Sequence, residues 1–429
     1  MTNLLQSLER NWVLGVICLA SLLIALSTGD PLFFRLAYLF GGILVISFIW
    51  GWLNVHWVRV QRQVRNHYVQ VGQAFEENVI LENTGPFGKL WVEVKDQSNL
   101  PNHRASRVIS RLGRHHQQTW HVRTPCYRRG RYRLGPISIL SSDPFSIFLF
   151  KQDLPTNFTS SVIVFPLAVD LPNFQPPFGE LSGGEIIHRR THYITTNVSG
   201  VRDYVSGDSF KRIHWRSTAR TGRLMVKEFE LDPQADIWIF LDLARNVQVG
   251  PTYNEIQVPT LPAVPWEKLP AFRLAPSTEE YAITIAASLS RHFLQQGRSV
   301  GLISYPQGRE VAQSDRGERQ LTRIYEILAV VQAQGYMPLS QVLTTESIRL
   351  SRSTTAIVIT SSTELAWVGA VRHLADRGIR AAAIVLDPAS FGAKYDSKGV
   401  EAELISNHIP YYLVKEGDNL SVVLGNNKQ

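Results

Sequence analysis

Cysteine is nearly absent from this chain, with 2 among 429 residues. Cys18 lies in an apolar run and Cys126 in a polar one, so no disulfide framework is legible; a reducing compartment is compatible with that usage. Also missing are a Walker A loop, an HExxH pair and a GxSxG elbow, and with them the common frames for phosphate cradling, zinc proteolysis and serine hydrolysis. His115, His116, His121 and Cys126 contain no paired CxxC or HxxxH element, so they read as ordinary strand residues rather than a zinc set. Acid is the scarcer charge: Lys+Arg 44 against Asp+Glu 36 gives +8. That balance suits anionic lipid, an acidic partner or nucleic acid alike and selects none of them.

What is present suggests a membrane-attached chain of several domains, since single cores rarely exceed roughly 250 residues. Residues 12–27 form an uncharged apolar run, and 32–53 a second whose only charge is Arg35. Both approach the roughly 20 residues of a membrane helix. The break Thr28-Gly29-Asp30-Pro31 makes the pair a helical hairpin over 1–58. No small-x-small site precedes that break, and the second span follows at once, which argues against a cleaved signal peptide. Arg10 precedes the hairpin and Arg59, Arg62 and Arg65 follow it, with no Lys or Arg in the connecting turn. The positive-inside rule therefore puts both ends in the cytoplasm, and Trp12, Trp50, Trp52 and Trp57 fit an aromatic belt on that face. The expected location is the inner (plasma) membrane, two-pass, with cytoplasmic soluble domains.

Residues 59–170 change to short β-like segments, at 69–71, 77–82, 90–95, 117–123, 131–134 and 161–165, separated by turn signals such as Asn83-Thr84-Gly85-Pro86 and Gly135-Pro136. That spacing predicts an immunoglobulin-like β-sandwich. Its arginines, at Arg104, Arg107, Arg111, Arg114, Arg123, Arg128, Arg129, Arg131 and Arg133, read as solvated or facing anionic headgroups, worth roughly 1 kcal/mol each near such a surface.

Residues 171–235 hold a Pro- and Gly-rich linker, flexible at Ser182-Gly183-Gly184, and then the densest chemistry in the chain. Glu185-Ile186-Ile187-His188 after the Gly pair offers no strand-loop-helix frame with a Lys, so the pair is a linker and no phosphate loop. Further on, Gly207-Asp208-Ser209 reads as a turn and N-cap opening a helix over 209–219 that stops near Gly222, followed by a strand over 224–231. Arg212, Arg216 and Arg220 recur every fourth residue, making one cationic stripe beside His214 and Trp215.

From 236 to 429, strand and helix patterns alternate. Residues 237–241, 300–305, 356–360 and 381–386 are compact apolar runs, and 278–296, 318–331 and 364–377 are amphipathic helices. Ser277/Glu280 and Ser361/Glu364 have capping-box spacing, and Gly297 and Gly378 stand at the helix ends. The alternation predicts an α/β doubly wound sheet with right-handed crossovers. The Pro-rich stretch 251–276, with Trp266, is then an insertion after the first strand, either a lid or docking loop or a disordered surface loop.

The order R-D-Y-x-x-G-D-x-x-K-R-I-H-W-R-S-T-A-R-x-G-x-L-x-V-K-E, from Arg202 to Glu228, leads into a strand ending Phe240-Leu241-Asp242. It resembles the signature of the bacterial domain of unknown function 58 family. Arg129-Gly130-Arg131-Tyr132-Arg133-Leu134-Gly135-Pro136, followed by Asp143-Pro144-Phe145, resembles that family's other recurrent block. With the hairpin and the α/β region, the resemblance covers essentially the whole chain. It implies a multi-domain fold: a transmembrane helical hairpin, an immunoglobulin-like β-sandwich, then a von Willebrand A-like α/β domain. Such a domain ordinarily carries Asp-x-Ser-x-Ser and a divalent ion. Here the matching residues are Asp242, Ala244 and Asn246, and the later Thr-Asp-Gly appears as Thr360-Ser361-Ser362. One Asp and an amide are a poor start for a hard cation, so the expectation is a degenerate site with no metal and no cofactor.

The resemblance further implies a bacterial envelope context alongside a MoxR-type AAA+ ATPase and transglutaminase-like membrane proteins. The function expected is a non-enzymatic, membrane-anchored adaptor or assembly factor touching lipid. Its partner-binding candidates are Arg202, Asp203, Tyr204, Gly207, Asp208, Arg212, His214, Trp215, Arg216 and Arg220. A nucleic-acid binder would use the same Arg stripe and Trp215, in competition with internal pairing to Asp203, Asp208, Glu228 and Glu230. A hydrolase would need a nucleophile and base in one cleft, and no motif unites Asp203, Asp208, His214 and Asp242.

Overall fold

A computed structural model describes residues 2–154, 160–174, 198–205, 208, 210, 213–229, 236–260, 270–351 and 354–425, without the side chains of 2–11, 198–200 and 228–229. Two compact units result: Met1–Ala168 with Pro251–Ala275 and Tyr325–Gln332, and Val169–Gly250 with Pro276–Ile324 and Ala333–Gln429. The linker residues Ser182, Gly183 and Gly184, and Trp266 of the insertion, lie outside the described residues.

The first unit begins with helices α1 (Thr2–Thr28) and α2 (Pro31–Val55). Asp30 caps α2 by accepting from Leu32 N at 2.9 Å, with Pro31 pre-set for the first turn. The two helices pack together, Cys18 against Ala37 and Gly41. By length and composition α2 is long and apolar enough to cross a membrane, and α1 has an apolar part of Trp12–Thr28.

Among the described residues ten strands follow: β1 (Val58–Val64), β2 (Tyr68–Gln70), β3 (Ala74–Asn83), β4 (Val92–Asp96), β5 (Arg107–Ile109), β6 (Gln117–Pro125), β7 (Gly130–Leu134), β8 (Ile137–Ser142), β9 (Leu149–Asp153) and β10 (Ser160–Phe165). They form sheets β1-β3-β6, β5-β4-β8-β9 and β2-β10-β7. Alternation places Val58, Val60, Val79, Leu81, Trp120 and Val122 of the first sheet in one core with Val92, Val94, Ile137 and Ile139 of the second. All six strands expected from sequence are present. β1, β5, β8 and β9 are additions, because β1 alternates Val with Arg and Gln, and β5 is only three residues long.

Two arginines depart from the sequence reading. Arg62 is a buried ion-pair partner, with Nε 3.1 Å from Glu77 Oε2 and Nη2 2.7 Å from Asp96 Oδ1, and His103 Nε2 lies 3.2 Å from Glu77 Oε1. Arg129, grouped with the solvated arginines, is 1% exposed. Its Nε donates to Leu328 O at 3.1 Å and its Nη2 to Val331 O at 2.7 Å. The described parts of 251–275 also belong to this unit. Tyr253 OH donates to Arg129 O at 2.5 Å, Asn102 Nδ2 to Pro259 O at 2.8 Å and Tyr127 OH to Pro270 O at 2.9 Å, and Phe272 packs on Gly72. The described parts, 251–260 and 270–275, are therefore strapped to the β-rich unit rather than free of it, because Tyr253 and the carbonyls of Pro259 and Pro270 find partners the sequence alone does not show.

The second unit starts with the pair β11 (Val198–Asp203) and β12 (Met225–Phe229), enclosing α3 (Trp215–Thr221). Then come β13 (Ile237–Leu241), α4 (Thr278–Gln295), β14 (Val300–Ser304), β15 (Glu310–Asp315), α5 (Glu318–Val330, whose last residues fall in the first unit), α6 (Leu339–Ser347), β16 (Thr355–Thr360), α7 (Ala366–Asp376), β17 (Arg380–Leu386), α8 (Lys398–Ser406), β18 (Tyr411–Val414) and α9 (Leu420–Val423). The sheet order is β15-β14-β13-β16-β17-β18, parallel except for β15. β13 is buried except for half-buried Trp238 and is where the strand order reverses, so its carboxyl end is the sheet's switch point. Phe240, Val358 and Val385 pack with α6, α7 and α8, while α4 runs against β13, β14, β16 and β17. Gly297 and Gly378 stop α4 and α7 in left-handed conformations, φ 75° and 81°. Ser277 stands at the N-cap of α4 but its side chain makes no cap hydrogen bond, and Ser361 does not cap α7. Helix α7 starts after Leu365 because Ser362 Oγ instead accepts from Glu364 N at 3.3 Å in the preceding turn.

Candidate functional site

Local hydrogen bonds build the segment between β11 and β12 around the short helix α3. Ile213 bridges to Val226 and both are buried, while His214 N donates to Met225 O at 2.8 Å and Met225 N to Thr218 Oγ1 at 3.0 Å. The cap is His214, whose Nδ1 accepts from Ser217 N at 3.2 Å and lies 2.7 Å from Ser217 Oγ. That geometry requires a bare Nδ1, with the proton on Nε2. The expected helix over 209–219 is thus corrected to one of 7 residues. Ile213 is spent on pairing with β12, and the α-helix starts at Trp215. Gly222 ends the helix at φ 69°, as its position suggested.

Arg202 and Asp208 do not face a partner freely. Arg202 Nη1 and Nη2 each lie 2.7 Å from an Asp208 oxygen, and Asp208 Oδ2 also accepts from Val205 N at 3.0 Å. This two-pronged pair fixes the turn leaving β11. Asp203 sits opposite Met225 in the β11–β12 ladder, and Tyr204 N donates to Leu224 O at 2.8 Å while its ring lies 5.9 Å from Phe210. Gly207 and Arg212 lie outside the described residues, as do Lys211 and Glu230, so the stripe is described only at Arg216 and Arg220.

What the frame displays is apolar and cationic together. Trp215 is 67% exposed and Phe210 69%, with Val205 and Leu224 also exposed. Arg216, Arg220 and Arg223 are exposed beside them, and among the described residues none has an acidic partner. Phe210 and Val205 were missed in the sequence because nothing in their spacing separates a displayed ring from a core one. The arrangement can seat an anionic, partly apolar surface: guanidinium groups match carboxylates bidentately, and exposed Trp is a common interface anchor.

The other candidate lies at the carboxyl end of β13. Asp242 is 5% exposed; Oδ2 accepts from Thr360 Oγ1 at 2.6 Å and Oδ1 from Ala244 N at 3.1 Å. Burial pushes its carboxyl up to about 6, with Glu364 adding to the rise and the two hydrogen bonds opposing it. Ser361 Oγ donates to Val247 O at 2.7 Å, Ser362 N donates to Thr360 Oγ1 at 2.9 Å, and Asn246 is exposed. Both carboxylate oxygens and the neighbouring hydroxyls are therefore engaged, and no group of three or more His, Cys, Asp or Glu among the described residues is arranged to hold a metal. These residues do not fit a divalent cation.

Residues 200–257 match a family described as "Protein of unknown function DUF58". The uncharacterized protein YeaD of Bacillus subtilis (strain 168) is 23% identical over 161 residues, 38% of this chain and 32% of that protein; the match thus spans about a third of the curated relative's length. Among solved structures, the CARDB domain of PF1109 from Pyrococcus furiosus is 19% identical over 25% of this chain and 94% of that domain, with a TM-score of 0.19. Proximal thread matrix protein 1 from the mussel byssus is 12% identical over 44% of this chain and 46% of its own, TM-score 0.29. The segment that folds as β11, α3 and β12 is thus where this chain is similar to the DUF58 family.

Proposed function

We propose that this protein is a membrane-anchored, non-enzymatic adaptor or assembly factor of the bacterial envelope, with α1 and α2 as a two-pass hairpin and the second unit as a von Willebrand A-like module. Its signature segment docks an acidic protein surface, for which a MoxR-type AAA+ ATPase, together with a transglutaminase-like membrane protein, is the partner that the family resemblance implies. The observation that carries the reading is the exposed set Trp215, Phe210, Arg216 and Arg220, displayed by a frame of other residues on which only the Phe210 ring rests, against Tyr204. A triple variant Trp215→Ala, Arg216→Ala, Arg220→Ala is expected to move thermal unfolding little, since exposed groups contribute within about 0.5 kcal/mol each. The same change removes the co-purifying ATPase from detergent-solubilised membranes. Unchanged recovery of that ATPase from the folded variant would defeat the docking reading, and recovery of nucleic acid that is lost at moderate salt would replace it with a nucleic-acid one.

The expected sidedness follows from Arg59 and Arg65 after α2 and the absence of Lys or Arg between the helices. A reporter that matures only in the cytoplasm, fused to the C-terminus, is expected to give signal. Signal from an export-dependent reporter at that position instead would reverse the topology.

A further inference from the structure

The family-like block Asp143-Pro144-Phe145 is used by neither the docking surface nor the β13 site. It forms the turn between β8 and β9, and that turn lies against α2. Phe48 of the helix meets Phe148 and Phe150 edge-on, with ring centroids 5.7 and 5.5 Å away. Gly51 lets the second ring lie on the helix, because a Cβ there would stand 2.7 Å from Phe150. Asn54 Nδ2 donates to Ser142 O at 3.1 Å, and Lys89, buried, donates to the terminal α2 carbonyls of Leu53 and His56. β9 also packs on α1.

The turn is stiff. Asp143 is buried and accepts from Phe145 N at 2.9 Å and Phe148 N at 2.7 Å. Yet it displays Phe145, 65% exposed, and Leu149, 39% exposed. From Pro144 to Phe150 there is no charged residue, and the next two charges, Lys151 and Asp153, pair with each other at 2.8 Å. Phe48 is seven residues before the end of α2, about 10 Å along the axis at 1.5 Å per residue. The turn therefore stands beside an apolar part of the helix that also exposes Val45, Ile46 and Ile49.

We infer that the β8–β9 turn is a membrane-inserting wedge, with Phe145 and Leu149 seated in the interfacial layer of the bilayer that α2 crosses. This rests on α2 being a membrane span. An aromatic ring gains from the headgroup layer, where the turn's exposed backbone still finds hydrogen-bond partners; open backbone deeper in hydrocarbon would not. The wedge and the Lys89 cap together set the depth and tilt of the β-rich unit against the membrane.

The test uses the full chain in phosphatidylethanolamine/phosphatidylglycerol vesicles, with Cys18→Ser and a nitroxide at Phe145→Cys, or in a second sample at Leu149→Cys. Cys126 stays, being buried with its thiol pushed up to about 11 by that burial. The control is Gln63→Cys, exposed on β1 five residues beyond Val58, about 17 Å at 3.4 Å per residue. Labels at 145 and 149 are expected to collide more with lipid-dissolved oxygen than with a water-soluble nickel chelate, and the label at 63 the reverse. Alkaline carbonate extraction separates the two ways of failing. If the chain resists extraction while label 145 behaves like label 63, the span stands and the wedge is overturned. If the chain is extracted, the span itself fails and the wedge with it.

Discussion

Replacing Arg129 with Ala is expected to loosen the β-rich unit by about 3 kcal/mol, the loss of two charge-assisted hydrogen bonds with two buried carbonyls left unpaired. The guanidinium is buried, donates to Leu328 O and Val331 O at the end of α5, and lies 4.9 Å from the Tyr253 ring centroid. Carbonyls of a last helical turn have no partner within the helix, and a cation there also meets the negative end of the helix dipole. Hydrogen exchange reads this locally: amides of 325–332 are expected to exchange faster by about a hundredfold, the equivalent of 3 kcal/mol. Arg129→Lys should recover little, because a single ammonium cannot reproduce a planar fork that reaches two carbonyls. Exchange unchanged in the Ala variant would mean that α5 ends without this cap.

Arg129 also shows where sequence reading stops. In the chain it stands among Arg128, Arg131 and Arg133, and alternation along β7 puts Arg131 and Arg133 outward as expected. Arg129 precedes the strand, so no period applies to it, and its acceptors are about 200 residues away. Local signals did well where burial is periodic: β13, β14, β16 and β17 were legible as apolar runs, and α4 from its cap to Gly297. They failed at β15 and β18, edge strands of the sheet, and at β5, whose three residues carry too little pattern. In the candidate site the stop at Gly222 was legible, since a left-handed glycine is a local requirement. The N-cap expected at Gly207-Asp208-Ser209 was not, because Asp208 accepts from Val205 N behind it and pairs with Arg202 while His214 caps α3. Nor was the start of α3. Ile213 looked helical by spacing, whereas it bridges to Val226, thirteen residues on. The internal ion pair seen among the described residues likewise came from Arg202, a strand residue, rather than from Arg216 or Arg220.

Substituting Asp242 with Asn is expected to stabilise the second unit at neutral pH, the reverse of what a metal ligand would show. Its carboxyl is raised from 3.8 to about 6, chiefly by burial. A raised acid means that the folded state binds the proton more tightly than the unfolded chain. The resulting stabilisation is full below the unfolded value and is lost as pH rises between about 4 and about 6, a loss of about 3 kcal/mol. Above that window the wild type holds a buried carboxylate supported by Thr360 Oγ1 and Ala244 N alone among the described groups. Asn keeps the acceptor for Ala244 N but turns the Thr360 contact round, and Thr360 Oγ1 already accepts from Ser362 N at 2.9 Å. One hydroxyl proton is then left without its acceptor, costing about 1 kcal/mol. The net gain above pH 6 is therefore about 1–2 kcal/mol, vanishing or reversing near pH 4. Denaturant unfolding of the full chain in detergent at a series of pH values, with exchange of β13 amides as a local check, gives the difference curve. Thr360→Val should move the window upward, because it removes a hydrogen bond that favours the ionised form. A curve flat from pH 4 to 6 would show that Asp242 does not titrate there. If Mg²⁺ stabilised the wild type and not the Asn variant, Asp242 would be a cation ligand after all, and the hydroxyls of Thr360, Ser361 and Ser362 would have to leave their present partners to complete the site.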